Sequence, residues 1–292
     1  MNELSRSQIL QASELALRQA DVAGVFPTPL SEVRTAVGIR NIIDISQLPD
    51  DVSFHQPGLL KRILGAYLFR SETAFVDLNQ TDGRKRFTEG HEIGHKIIPW
   101  HADSYYLDGE EHLSSDTKDL LEQEANYAAA CLIFQGARFH AHALQYEVSI
   151  RTPVKLAPAF GASFHATIRY YVEQHPDKVA LVIAGRYPLY GGSLPVWRSV
   201  ESPSFYSQFG SFVAALPGGT LRLNQDNPYS EVAGSALQDH EVPRTTVRLE
   251  HQRAQTFTLE GFFNGRSLFL MISPHRLLRT GRRIRLMPAP EA

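Results

Sequence analysis

Apolar positions recur at helical spacing from the start of the chain. Ile9, Leu10, Ser13, Leu17 and Val22 predict a helix within residues 1–24, closed by Gly24 and Pro27. A second, short helix is expected from Pro29, carried by Leu30, Val33 and Val37 and ending at Gly38. The stretch containing Pro49, Asp50, Asp51, Pro57 and Gly58 reads as loop. Ile63–Phe69 and Thr73–Leu78 are strand-like runs around Arg70, Ser71 and Glu72, which predicts a hairpin. A polar turn at 79–83 then feeds a helix over about Arg84–Ile98, with Pro99 as its stop. After an acidic loop, Thr117–Leu144 reads as one long, alanine-rich helix.

The rhythm changes at Pro153. Val154, Leu156, Ala157 and Phe160 precede a turn at Gly161, and Ala166, Ile168, Tyr170 and Val172 follow it, a spacing that fits a helix-turn-helix. Beyond residue 178 the pattern becomes β-rich. Val179–Ala184, Thr220–Leu223, Thr245–Leu249, Thr256–Phe262, Leu268–Ile272 and Arg283–Met287 alternate or are β-branched, and a helix over Pro203–Leu216 interrupts them. The expected class is α+β in three segments: 1–150, 151–178 and 179–292.

Composition narrows this little. The 292 residues are 43% hydrophobic and 21% charged, which excludes a disordered or fibrous chain. The longest apolar runs, such as Val179–Gly185, are far short of the roughly 20 residues that span a bilayer. MNELSRSQIL has no basic segment leading into an apolar one, so the expectation is a cytoplasmic protein without membrane contact. The single cysteine, Cys131, sits in an alanine-rich run and reads as a small buried hydrophobe. The net charge of -2 hides a gradient: eight acidic residues lie between His101 and Ala125, and nine arginines between Arg244 and Arg285. That asymmetry suggests segments with different tasks, or two solvated surfaces.

The chemistry concentrates in Arg84–His95, which contains His91-Glu92-Ile93-Gly94-His95. On a helix, His91 and His95 lie one turn apart on one face and can share one metal ion. Glu92 is rotated by about 100° from His91. It therefore flanks the ion, where a general base takes a proton from water. A catalytic zinc needs a third protein ligand and an open position. Glu122 is the best candidate, because it shares a face with Ala125, Asn126 and Ala129, residues small enough for close helix approach. Glu124 points about 200° away and is the weaker choice. His101 and His112 are assigned to the loop after Pro99, in surface or substrate-contact roles. Tyr105, Tyr106, Tyr127, His101 and Arg86 are all candidates for the donor to a tetrahedral oxyanion. Zinc is the first expectation for the divalent ion, although two imidazoles and a carboxylate also suit manganese or iron.

Arg86-Phe87-Thr88 followed by the HExxH run, with Glu122, Ala125-Asn126 and Ala128-Ala129 one helix later, resembles the ImmA/IrrE metallopeptidases. Gly90 replaces the alanine usual there, and Tyr127 stands near the usual phenylalanine. The resemblance implies a zincin-like helical domain with a short β-sheet, metal held by His91, His95 and Glu122, and Glu92 as the base. The motifs cover about residues 63–134. The order of segments beyond them is similar to that of the family's radiation-response regulators. This wider likeness implies a C-terminal GAF-like α/β sensor domain that takes a small molecule or signal. It also implies a protein substrate, a helix-turn-helix transcriptional repressor, whose cleavage induces DNA-repair genes after radiation or desiccation. The alternative is a non-enzymatic, DNA-binding regulator with a structural metal. Phe164–Gln174 carries one basic residue, Arg169, against the several that phosphate neutralisation requires.

Overall fold

The computed structural model describes residues 1–44, 65–68, 72–107, 114–186, 193–212, 221–222, 228–238, 242–249 and 255–275. The predicted loop at 49–58, His112, and the predicted strand Arg283–Met287 lie outside them. The chain divides into two compact units, Met1–Tyr171 and Val172–Ala292.

In the first unit, α1 (Glu3–Gln19) buries Ile9, Ser13 and Leu17 of the predicted stripe together with Ala16, while Leu10 is exposed. α2 (Leu30–Ala36) follows. A three-stranded sheet places β3 (Thr73–Val76) between β1 (Asn41–Asp44), parallel to it, and β2 (Gly65–Leu68), antiparallel. The β2–β3 pair is the predicted hairpin; β1 was not foreseen. Next come α3 (Asp82–Ile97) and α4 (Pro99–Leu107). Pro99 ends the first of these as expected, but it also opens a further helix. Proline has no N–H to lose at the first helical position, and its fixed φ suits that place.

The long helix expected over Thr117–Leu144 is two: α5 (Ser115–Phe134) and α6 (Ala137–Ala143). Gln135 and Gly136 both take φ of 53°, and this left-handed step breaks the helix. The buried Gln135 amide accepts from Gly24 N at 2.7 Å and donates to Val25 O and Thr28 Oγ1 at 3.1 and 3.0 Å, which fastens the break to the loop after α1. Behind it Phe26, Phe134, Phe139, Phe160 and Tyr170 form one aromatic cluster, with Phe134 stacked on Tyr170 at 4.4 Å. That cluster holds α7 (Arg151–Ala159) and α8 (Phe164–Glu173), two short helices around the turn at Gly161. Arg86 ties the turn down, donating to Gly161 O at 3.1 Å and Thr28 O at 2.7 Å.

The second unit is built on an antiparallel sheet. Its order is β6 (Val196–Glu201), β4 (Ala180–Ala184), β10 (Leu268–Pro274), β9 (Gln255–Phe263) and β8 (Arg244–Leu249). β5 (Ser193–Leu194) pairs separately with β7 (Leu221–Arg222). Alternate residues Val182, Leu270, Leu259 and Val247 meet Phe205 of α9 (Pro203–Phe209) and Val232, Ala233 and Ala236 of α10 (Pro228–Gln238) in one core. Gly261 admits α10, since a Cβ there would lie 2.9 Å from both Ala236 Cβ and Val232 Cγ1.

The contact on which the first unit turns is α3 against α5. A Cβ added at Gly90 would lie 3.4 Å from Ala129 Cα, and one at Gly94 would lie 3.0 Å from both Ala125 O and Ala128 Cβ. Glycine faces alanine along the seam, so the two backbones approach more closely than larger side chains allow. The two glycines differ in tolerance. Gly90→Ala gains helix propensity within ordinary contact distance, and should raise stability by up to about 1 kcal/mol. Gly94→Ala presses on a backbone carbonyl, and should cost about 1–3 kcal/mol. Urea unfolding of both variants checks this; equal effects would mean the seam is looser than these distances state.

Candidate metal centre

Across that seam, α3 supplies His91, Glu92 and His95, and α5 supplies Glu122 and Asn126. His91 Nε2 lies 3.1 Å from Glu122 Oε2, His95 Nε2 lies 3.4 Å from Glu122 Oε1, and the two Nε2 atoms are 3.1 Å apart. One ligand atom from each of the three residues falls within 4.8 Å of the others. Ligands about 2.0–2.1 Å from a tetrahedral ion stand about 3.3–3.4 Å from one another. The two imidazole nitrogens and the Glu122 carboxylate, whose two oxygens each face one of them, are therefore close enough to share one such ion. His95 is buried, His91 is partly buried and the Glu122 side chain is 53% exposed, so the fourth corner opens towards solvent.

The groups lean electrically in different directions. Burial raises the Glu122 carboxyl, but the two imidazoles beside it outweigh this and hold the group well below the usual range. Burial pushes Glu92 up to about 8, with His91 opposing and Glu122 reinforcing the shift. One buried oxygen of Glu92, Oε2, has no hydrogen-bond partner among the described residues. A buried carboxylate oxygen left bare is costly and calls for a donor or a cation. Burial lowers both buried imidazoles, His95 and His101, and takes His101 to about 3, while at His91 the Glu122 hydrogen bond and nearby carboxylates prevail over burial and raise it. A divalent cation favours the ionised carboxylates and the bare imidazoles.

Two residues set aside as peripheral stand immediately behind the histidines. His101 is on a helix, not in a loop, and has no exposed surface. Its Nδ1 lies 3.0 Å from His95 Nδ1 and its Nε2 lies 3.2 Å from Glu124 Oε2. The expected surface or substrate-contact role for His101 is therefore corrected: burying the imidazole without these partners would be unfavourable, and the helix opened by Pro99 turns it inward. Glu124, 2% exposed, also accepts from Trp100 Nε1 at 2.7 Å. His91 Nδ1 meets Asn126 Oδ1 at 3.2 Å.

Among the candidate oxyanion donors, Tyr127 packs against the cluster of Ile9, Ile98 and Ala128, with Arg6 5.9 Å above its ring. Burial, with Cys131 adding to it, pushes the Tyr127 phenol up to about 12. Arg86 is engaged with Gly161 and Thr28. Tyr105 lies on α4, and its side chain is outside the described residues, as is that of Tyr106. Cys131 is buried, as expected.

Comparison with known proteins gives a family model and a solved structure. Residues 58–169 match the Peptidase_M78 model, described as IrrE N-terminal-like domain, so over this segment the chain is similar to that domain. Among solved structures, a Mycobacterium tuberculosis transcriptional regulator is similar in fold with a TM-score of 0.54 at 14% identity, over 93% of this chain and 80% of that one. No curated protein sequence matches the chain.

The electrostatics of Glu92 give a testable sign. The unfolded carboxyl titrates near 4.5 and the folded one near 8. Between those values the folded protein keeps a proton that the unfolded chain releases, so this group's contribution to stability falls as pH rises through the window. Glu92→Gln lacks the penalty. In metal-free protein its melting-temperature advantage should be small near pH 5 and grow towards pH 8. A constant difference would show that Glu92 is not buried in its charged form.

Proposed function

We propose that the protein is a metal-dependent endopeptidase of the HExxH type, with His91, His95 and Glu122 holding one divalent ion, zinc first, and Glu92 as general base. The observation that carries this reading is the convergence of three ligand atoms beside a buried carboxylate with a bare oxygen. A divalent ion held there supplies Lewis acidity, polarising a peptide carbonyl and acidifying a water. Glu92 takes the proton of the attacking water at its free oxygen and returns it to the leaving amide nitrogen. Its pKa of about 8 before any ion adds its charge suits a group that must carry a proton between two steps. Glu122, half open to solvent, leaves the approach to the ion unobstructed on its side.

The substrate in this proposal is a helix-turn-helix transcriptional repressor, cleaved at one site so that DNA-repair genes are induced after radiation or desiccation. The family match and the likeness of fold to a transcriptional regulator support it. The segment 179–292 serves as a GAF-like sensor for a small molecule or signal, a role supported by its five-stranded antiparallel sheet with helices packed on it. The packing of α7 and α8 around Phe160 and Tyr170 supports a structural or substrate-docking use of that pair over a DNA-reading one. No helix of the described residues is long and apolar enough to cross a membrane.

The test is incubation of the full chain, with added zinc or manganese, with repressors that control DNA-repair genes. One discrete fragment pair is expected, and Glu92→Gln should lower the rate by about 100- to 10,000-fold while still binding metal. Cleavage by Glu92→Gln at the normal rate would refute the mechanism.

A further inference from the structure

The hydrogen bonds behind His95 continue inward as a file of four side chains. Trp100 Nε1 is 2.7 Å from Glu124 Oε2, the same oxygen is 3.2 Å from His101 Nε2, and His101 Nδ1 is 3.0 Å from His95 Nδ1. His101 and Glu124 are sealed from solvent, and neither belongs to the HExxH run. The chemistry of the donors gives this file one direction. The indole N–H only donates, so Glu124 Oε2 is an acceptor in this file, and His101 Nε2 carries a proton and donates it to the same oxygen. In a neutral ring the other nitrogen, His101 Nδ1, is then a lone pair. It accepts from His95 Nδ1–H, and this leaves His95 Nε2 bare. That bare nitrogen is the one beside Glu122 and His91, and a metal ion takes only an unprotonated imidazole nitrogen.

We propose that His101 and Glu124 are positioning residues that lock His95 into its Nδ1–H tautomer and ring orientation, with Trp100 anchoring the carboxylate. The inference rests on the reading of His91, His95 and Glu122 as metal ligands. The two ligating histidines are therefore held unequally. His95 donates into a relay whose members, His101 and Glu124, are sealed from solvent, whereas His91 meets the amide of Asn126 on the exposed side of α5. A buried polar group cannot exchange its partner for water without cost, so His95 is the fixed point of the site and His91 the adjustable one.

Two measurements on the full chain test this. In metal-free protein carrying isotope-labelled histidine, long-range proton–nitrogen correlation spectra at about pH 8, above the ordinary imidazole range, should show His95 protonated on Nδ1 and His101 on Nε2. Zinc affinity by chelator competition should fall about 10- to 100-fold in His101→Phe and in Glu124→Gln. His101→Gln should recover much of that loss, because its amide supplies both an acceptor for His95 and a donor for Glu124. Should His101→Phe fail to fold, the tautomers of the unsubstituted protein and the Glu124→Gln affinity still decide the matter. Normal zinc binding together with an Nε2–H tautomer at His95, or with unchanged affinity in both variants, would overturn the proposal alone. Absence of zinc binding by the unsubstituted protein would instead overturn the metal reading, and this proposal with it.

Discussion

Everything chemical in this protein depends on how closely α3 approaches α5. Two glycines on one helix meet three alanines on the other, and at Gly94 there is no room for even a methyl group without displacing a carbonyl. Only at that spacing can a carboxylate from α5 reach two imidazoles on α3 at 3.1 and 3.4 Å. Glu122 is a short arm; a wider seam would leave it solvated and the histidines without a third partner. The packing of small residues, a matter of van der Waals contact, thus sets the geometry of a charged site.

The same seam sorts the site's carboxylates into different roles. Glu122 faces two imidazoles and is held ionised, as a ligand must be. Glu92, the neighbour of His91 in the chain, is driven into the interior and pushed up to about 8, where a proton is gained and lost with little cost. Pushing two nearby acids apart in this way is what the proposed division into ligand and base requires. Glu124 takes a third position, capped by an indole and an imidazole and one side chain removed from His95.

Much of this was readable in the amino-acid order, because coordination chemistry forces visible spacing. Two histidines four residues apart must share a helical face, and the run of alanines after Glu122 betrays a helix that packs tightly. The hairpin, the long β-strands of the second unit and the approach of Glu122 to the two histidines could all be read in this way. What sits behind the histidines could not. His101 and Glu124 meet across 23 residues of sequence with no periodic signature, and Pro99 reads as a helix stop although it also starts the next helix. The wheel rotation that turns Glu124 away from the ion also turns it towards α4, a helix that the sequence does not announce. The break at Gln135 is hidden for a related reason. Glutamine is an unusual left-handed residue, and its compensation comes from hydrogen bonds to a loop 111 positions earlier. In the second unit α10 was missed, since its small residues, Ala233, Gly234 and Ala236, give a weak helical stripe.

The central claim is that two imidazoles of one helix and one carboxylate of the next hold a single divalent ion. X-ray absorption spectroscopy of the zinc-loaded full chain tests it most directly. The account predicts one zinc per chain in a four-coordinate shell of nitrogen and oxygen at about 2.0–2.1 Å, with the multiple-scattering pattern of two imidazoles, reduced to one imidazole in His95→Ala. A six-coordinate shell of oxygen without imidazole scattering, or a sulfur ligand, would contradict it.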